Sequence, residues 1–378
     1  MPIEPRLSSQ ALEAMQNMNA LPECLPRMCS FAALLTLVLG PGTSAQAGRE
    51  LSEYEYSLRF PAATSRFAPY ADVASLGGAQ VGSRWSSSLN PASAAWPHPE
   101  RRFRNSLAAQ FSTVHFAEGS RFDIYAEAPV IDAGKWGVFL PAVAQIRGND
   151  ATVRKPAGAL KGPEMGFEAD FFQLQWGKLV HEQWAIGAVA SITTSKTRFD
   201  QDRLELSVSR AEAYQFRVGV LHQPIDKVRV GAAVEYGATP TRTRALVGFN
   251  PLTGLPVRVR TSDTTHQILL RTGLTWEYAK GCDFYLDYHG GVFWDDSGEF
   301  WIHRFPVGVE QMIIPDILFA RIGATIDTRG HTVLAAGLGV SLGSRASLDL
   351  AYQNSALPEI RPELGAADAF VFSLAVWF

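Results

Sequence analysis

The last eleven residues, Asp368 to Phe378, read D-A-F-V-F-S-L-A-V-W-F and constrain the fold more than any other stretch. Phe370, Phe372, Leu374, Val376 and Phe378 alternate, so an extended chain puts all five on one face. Val371, Ser373, Ala375 and Trp377 take the other face. A terminus usually frays into water, which suits so apolar a face poorly. A strand with one face on lipid along its whole length has the opposite requirement. The competing reading is the closing strand of a soluble sandwich, and the rest of the chain has to decide between them.

From Phe103 onward, strand-like runs alternate with turn signals, from about 103–117 to 368–378. They number about fourteen, within a range of twelve to sixteen, and single-chain bacterial barrels carry an even number. No run of about 18 apolar residues occurs, so helical spanning is excluded. The expected fold is all-β: an antiparallel transmembrane β-barrel with a short N-terminal plug-like segment. Counting back from the C-terminus, alternate connections are expected to be tight periplasmic turns, at 343–345, 313–316, 278–281, 222–227, 178–181 and 132–134. The outer connections at 354–367, 248–256 and 148–163 are longer, and 327–331 is a short exception. Trp136, Trp184, Trp276 and Trp377 are expected at the inner interface, and Trp294 and Trp301 at the outer. The C-terminal Phe with apolar residues at every second upstream position resembles the assembly signal of bacterial outer-membrane barrels. That resemblance implies recognition by the outer-membrane assembly machinery.

Alternation also assigns faces. An arginine or lysine on the lipid face would cost about 2–4 kcal/mol near the midplane. Arg217, Arg229, Glu235, Arg271, Glu277, Asp287, Arg304, Glu310, Arg321 and Asp349 are therefore expected to face the lumen. Equal numbers of each sign favour ion-paired filling over a selective pore.

Phe31–Leu39 reads as the apolar part of an export signal, preceded by Arg27 and followed by Ala45-Gln46-Ala47. Cleavage is expected after Ala47, with Met15 and Met18 as alternative starts. The expected division is 1–47 signal peptide, 48–102 hatch-like segment and 103–378 barrel, placing the mature chain in the cell outer membrane. Cys282 alone remains after cleavage, which forbids an internal disulfide. Charge is near balance, with a formal net of -3, and no basic aromatic-interleaved patch or phosphate loop is present, so no nucleic-acid partner is expected. No metal or cofactor is expected either. His266, His289 and His303 lack ligand spacing, and Asp295-Asp296-Ser297-Gly298-Glu299 lacks that of a dedicated calcium loop. His289 near Asp287 is the one hint of hydrolase chemistry, so no enzyme is expected.

The segment before the first barrel strand carries Gly77-Gly78-Ala79 and then Asn90-Pro91-Ala92. Asn-Pro favours a sharp turn and paired glycines permit close backbone packing. G-G-A followed by N-P-A at the barrel entrance resembles the FadL/OmpP1 (TodX) superfamily of outer-membrane proteins. The resemblance implies an N-terminal hatch inside a fourteen-stranded barrel and passive transport of small hydrophobic compounds. No outer loop is long and strongly apolar, and Phe249, Leu252, Leu255 and Val257 form the best patch. A general diffusion porin and a non-transporting scaffold remain the alternative functions, and outer-membrane lipid is the expected surrounding partner.

Overall fold

In a computed structural model, the described residues are 71–76, 78–83, 88–96, 105–117, 121–152, 164–201, 204–249, 255–296, 298–356 and 366–378. The export signal with its Ala47 cleavage site, Gly77 and Leu252 lie outside them. The strands are β1 (Ser106–Phe116), β2 (Arg121–Asp132), β3 (Val138–Thr152), β4 (Glu164–His181), β5 (Trp184–Gln201), β6 (Leu204–Ile225) and β7 (Val228–Phe249). They continue as β8 (Pro256–Ala279), β9 (Cys282–Asp295), β10 (Gly298–Ile314), β11 (Leu318–Asp327), β12 (Thr332–Ser341), β13 (Ala346–Asn354) and β14 (Ala367–Trp377). Each pairs antiparallel with its sequence neighbours, and β1 pairs with β14 from Ser106↔Trp377 to Phe116↔Ala367. The sheet is a closed barrel of fourteen strands. Closure removes every sheet edge, so each strand's backbone groups are satisfied without water.

The outer wall is apolar. Phe111, Val143, Phe172, Leu174, Ile192, Phe216, Val218, Val234, Leu270, Leu286, Leu338 and Leu350 are all exposed there. Phe370, Phe372, Val376 and Phe378 are exposed on the same surface, with Leu374 half-buried among them. In an aqueous protein such a belt would be an aggregation surface, and here it is the lipid face of a transmembrane barrel.

Both barrel ends, Ser106 and Trp377, lie at one rim, called the near rim, where β2–β3, β4–β5, β6–β7, β8–β9, β10–β11 and β12–β13 are joined. Trp136, Trp184 and Trp276 are exposed at this rim, as interfacial aromatics should be. Trp377 differs from the expectation: it is buried, because strict alternation turns it inward once the phenylalanines face lipid. Trp301 is exposed at the far rim, while Trp294 is half-buried and stacks on His266 at 5.4 Å between centroids.

The contrast of short near turns with long far loops is also weaker than expected. At the far rim only two residues separate Gln201 from Leu204, and two separate Asp295 from Gly298. Height comes from the strands instead. β6 and β7 have 22 residues and β8 has 24, against 9 in β13, whereas about 9–11 span a bilayer. One side of the wall therefore continues well past the lipid band.

Candidate functional site

The described residues between 71 and 96 lie inside the barrel. Val73, Ala74, Leu76, Ala79, Val81 and Ala92 are wholly buried there. A single helical turn, α1 (Ala71–Ser75), packs against β12 and β13, and a 3-10 turn at Pro91–Ala95 packs against β4, β5 and β6. Gly78 closes α1. Its φ of 89° lies in the left-handed region, and its N–H donates to Val73 O at 3.0 Å. Asn90 begins the 3-10 turn as its cap, accepting from Ala92 N at 3.1 Å, and Pro91 supplies the fixed φ at the first position.

Asn90 is also the knot that ties this segment to itself and to the wall. Its amide donates to Val81 O at 3.0 Å and to Val220 O on β6 at 2.9 Å. Ser93 Oγ donates to Ser83 O at 2.6 Å, and Gln175 on β4 donates to Pro91 O at 3.2 Å. On the other side Gln353 of β13 donates to Ala74 O at 2.9 Å. Asp287 on β9 accepts from two consecutive backbone amides, Gln80 N and Val81 N, each at 2.7 Å. That carboxylate oxygen lies 3.6 Å from His289 Nε2, so the acid of the Asp287–His289 pair, the one hint of hydrolase chemistry in the sequence, is the group that anchors the inner segment.

The seat itself is a belt of lumenal glycines that sequence reasoning did not single out. Gly187 and Gly219 sit under Asn90 and Pro91, Gly231 under Val81, Gly323 under Leu76, and Gly337 under Ser75. A Cβ on Gly187 would stand 2.6 Å from Ala92 N, and one on Gly231 would stand 2.9 Å from Val81 C. Real side chains do not fit at those separations, so backbone lies on backbone across much of the circumference. The glycines are neighbours by register, with Gly187 opposite Gly219 and Gly231 opposite Gly273. The available signal was glycine within strand alternation, which marks a bulge or a close backbone approach without naming what approaches.

Charged side chains surround the seat. Glu235 Oε2 is 2.6 Å from Arg217 Nη2 and 3.0 Å from Arg271 Nη1, while its Oε1 accepts from Gln267 at 2.9 Å. Arg217 also donates to Ser88 O of the inner segment. Nearer the near rim, Arg321 pairs with Glu310 and, at 2.5 Å, with Asp349 Oδ1. Arg229 Nη2 lies 3.3 Å from Asp283 Oδ2, which also accepts from Tyr285. Arg304 and Glu277 occupy inward positions on β10 and β8 and are half-buried.

The far half of the lumen has a different character. Phe116, Phe122, Ile124, Ile146, Met165 and Phe167 face inward from β1–β4 and form one apolar cluster. Phe116 and Phe122 meet edge-on at 4.9 Å, and Phe122 stacks on Phe167 at 5.8 Å. Across the barrel Leu269, Phe293, Phe300 and Ile302 form a second cluster. Apolar side chains thus gather inside the wall, where they are buried against one another, as well as on Phe249, Leu255 and Val257, which are exposed at the far rim. Sequence reading looked for it on loops, because inward positions of a barrel are ordinarily polar.

Replacing Asn90 with alanine should loosen the segment without unfolding the barrel. The buried Val81 carbonyl and the half-buried Val220 carbonyl would lose this donor, at about 1–3 kcal/mol. Amide exchange at Ala92 is expected to rise roughly tenfold to a hundredfold, measured by hydrogen–deuterium exchange, with β7 and β8 unchanged.

Fold and site together define a transmembrane β-barrel whose lumen holds an N-terminal segment. No family model matches the sequence, and no curated protein matches it. Solved structures share the fold. The Ralstonia pickettii toluene transporter TbuX superposes with a TM-score of 0.54 at 10% identity, covering 82% of this chain and 98% of that one. The CymD monoaromatic hydrocarbon channel gives 0.55 at 12% identity, covering 82% and 97%. A Pseudomonas aeruginosa FadL homologue gives 0.52 at 11% identity, covering 81% and 97%. The chain therefore has the fold of the FadL and TodX barrels.

Proposed function

We propose that the protein is an outer-membrane channel for the passive entry of small hydrophobic compounds, with the residues before β1 acting as its hatch. The apolar clusters on the inner wall of the far half carry this reading. A path for hydrophilic solutes would place polar groups there, whereas Phe122, Phe167 and Met165 pack into a closed apolar cluster that would have to part for a passing molecule and favours an apolar one when it does. The far rim then faces the outside and the near rim the periplasm, since short turns and chain ends belong to the periplasmic side. Similar solved barrels include toluene transporters and a monoaromatic hydrocarbon channel, which agrees with this assignment. Substrate would enter at the far rim, cross the apolar half and be stopped at the belt until the segment around Asn90–Ala92 yields. The C-terminal phenylalanines would serve as the assembly signal, and the leader would be removed after Ala47.

A diffusion porin needs charges free to meet ions, but here Arg217, Arg271 and Arg321 are held by carboxylates. In planar bilayers the intact mature chain is expected to be electrically silent. The same chain lacking residues 48–102 should show steady ionic conductance. A steady conductance from the intact, folded protein would sink the hatch assignment and leave the porin.

A further inference from the structure

Beyond the lipid band, β5–β8 carry a cationic surface that the transport reading does not use. Residues on the lipid face of β6 run Val218, Phe216, Tyr214, Glu212, Arg210 toward the far rim, changing from apolar to charged within one strand. On β7 the same face passes from Val234 and Tyr236 to Arg242 and Arg244, and on β8 from Leu270 and Ile268 to Arg260. Tyr236, His266 and Trp294 mark the interface between them as a stacked row, with Tyr236 Oη 3.1 Å from His266 Nδ1. The arginines stand about 10–15 Å further along the barrel axis, given the strand rise and tilt of a barrel wall. Arginine side chains reach back from there toward the interface.

The register makes this surface unusual. Lys196 lies directly opposite Arg210, Arg210 opposite Arg242, and Arg244 opposite Arg260. Like charges facing each other across a sheet destabilise it unless an anion lies between them. Nearby acids are engaged elsewhere: Glu205 holds Arg244 and Arg258, Asp200 holds Arg198 at 2.6 Å, and Glu212, the one carboxylate among the residues that line the groove, accepts from Tyr214 at 3.1 Å. Among the described residues no carboxylate reaches ion-pair distance of Lys196, Arg210, Arg242 or Arg260. A groove of about 630 Å³ runs between these arginines, with Val208 and Pro240 in its wall.

We infer that this groove binds the phosphorylated headgroup of an outer-leaflet glycolipid. The chemistry is the planar fork of arginine on phosphate oxygens, repeated on adjacent strands, while the acyl chains continue down the apolar wall below Tyr214 and Tyr236. A lipid satisfies both halves of this surface, and a soluble anion satisfies only the upper one. The inference rests on the outer-membrane placement of the barrel and is independent of what crosses its lumen.

The test uses the purified full-length mature protein in detergent, titrated with diphosphorylated and monophosphorylated lipid A and read by native mass spectrometry. The native protein should hold the diphosphorylated form several-fold more tightly. The combined variant Arg210→Gln, Arg242→Gln, Arg260→Gln should bind it about a hundredfold more weakly, from the contribution of a basic residue near an anionic lipid surface. The control Arg121→Gln, in which the lost charge pairs with Asp123 on β2, should bind as the native protein does. Folding of each variant is checked by its electrophoretic heat shift, and the comparison of the two lipids needs no variant. Equal affinity for the two lipids, or equal binding by native and triple variant, would overturn the assignment. So would displacement of the lipid by inorganic pyrophosphate at matching concentration, which would point to a soluble anion.

Discussion

Replacing Gly187 and Gly231 together with leucine should convert a silent barrel into a conducting one. Both positions lie under the inner segment, and a Cβ on either meets backbone that no rotamer change can move aside. Overpacking costs about 1–3 kcal/mol per site, so two sites would shift the seating of the segment by roughly thirtyfold to ten-thousandfold. The strands themselves should survive, since leucine is tolerated in the extended backbone and both side chains point into the lumen. The measurement is ionic current in planar bilayers, with the heat shift on electrophoresis confirming a closed barrel. Continued silence from the folded variant would mean that the segment does not need the glycines as its seat.

Glu235→Ala should have the largest effect on stability. Glu235 is almost fully buried and is the carboxylate shared by Arg217 and Arg271, which are nearly as buried. Its removal leaves two guanidinium groups close together away from water, and breaking a buried pair costs about 3–5 kcal/mol. The urea midpoint of the refolded barrel should fall accordingly, and added salt should recover little because screening reaches buried charges weakly. An unchanged midpoint would show that water or lumenal anions already solvate this cluster.

The fold was legible because lipid imposes one rule on every strand. Apolar residues at alternate positions, as in Val228, Val230, Ala232, Val234 and Tyr236, have one explanation when the run repeats about fourteen times, and the barrel contains fourteen strands. The same rule misplaces nothing on β14: alternation puts Trp377 on the inward face, where it is buried, and only the interfacial expectation for this tryptophan differs. What alternation cannot convey is height along the barrel axis and identity of the inward partner. Asp287 receives its hydrogen bonds from residues more than two hundred positions away, and Gly323 and Leu76, which face each other, are as far apart in the chain. A period of two gives the face of Phe122 or Phe167 but not that they meet, since their contact depends on both lying opposite Gly148 of β3, where no side chain separates the rings. Short far connections escaped notice for a related reason: β6–β8 extend past the membrane as strand, which looks the same in sequence as strand within it.

The most direct test of the transport account is uptake in living cells. A Gram-negative host lacking hydrophobic channels of its own would express the full chain, and accumulation of a radiolabelled apolar aromatic would be followed beside that of a hydrophilic sugar. The account predicts faster entry of the aromatic with sugar entry unchanged from the host alone. Equal acceleration of both solutes, or none of the aromatic with the barrel folded in the outer membrane, would contradict it.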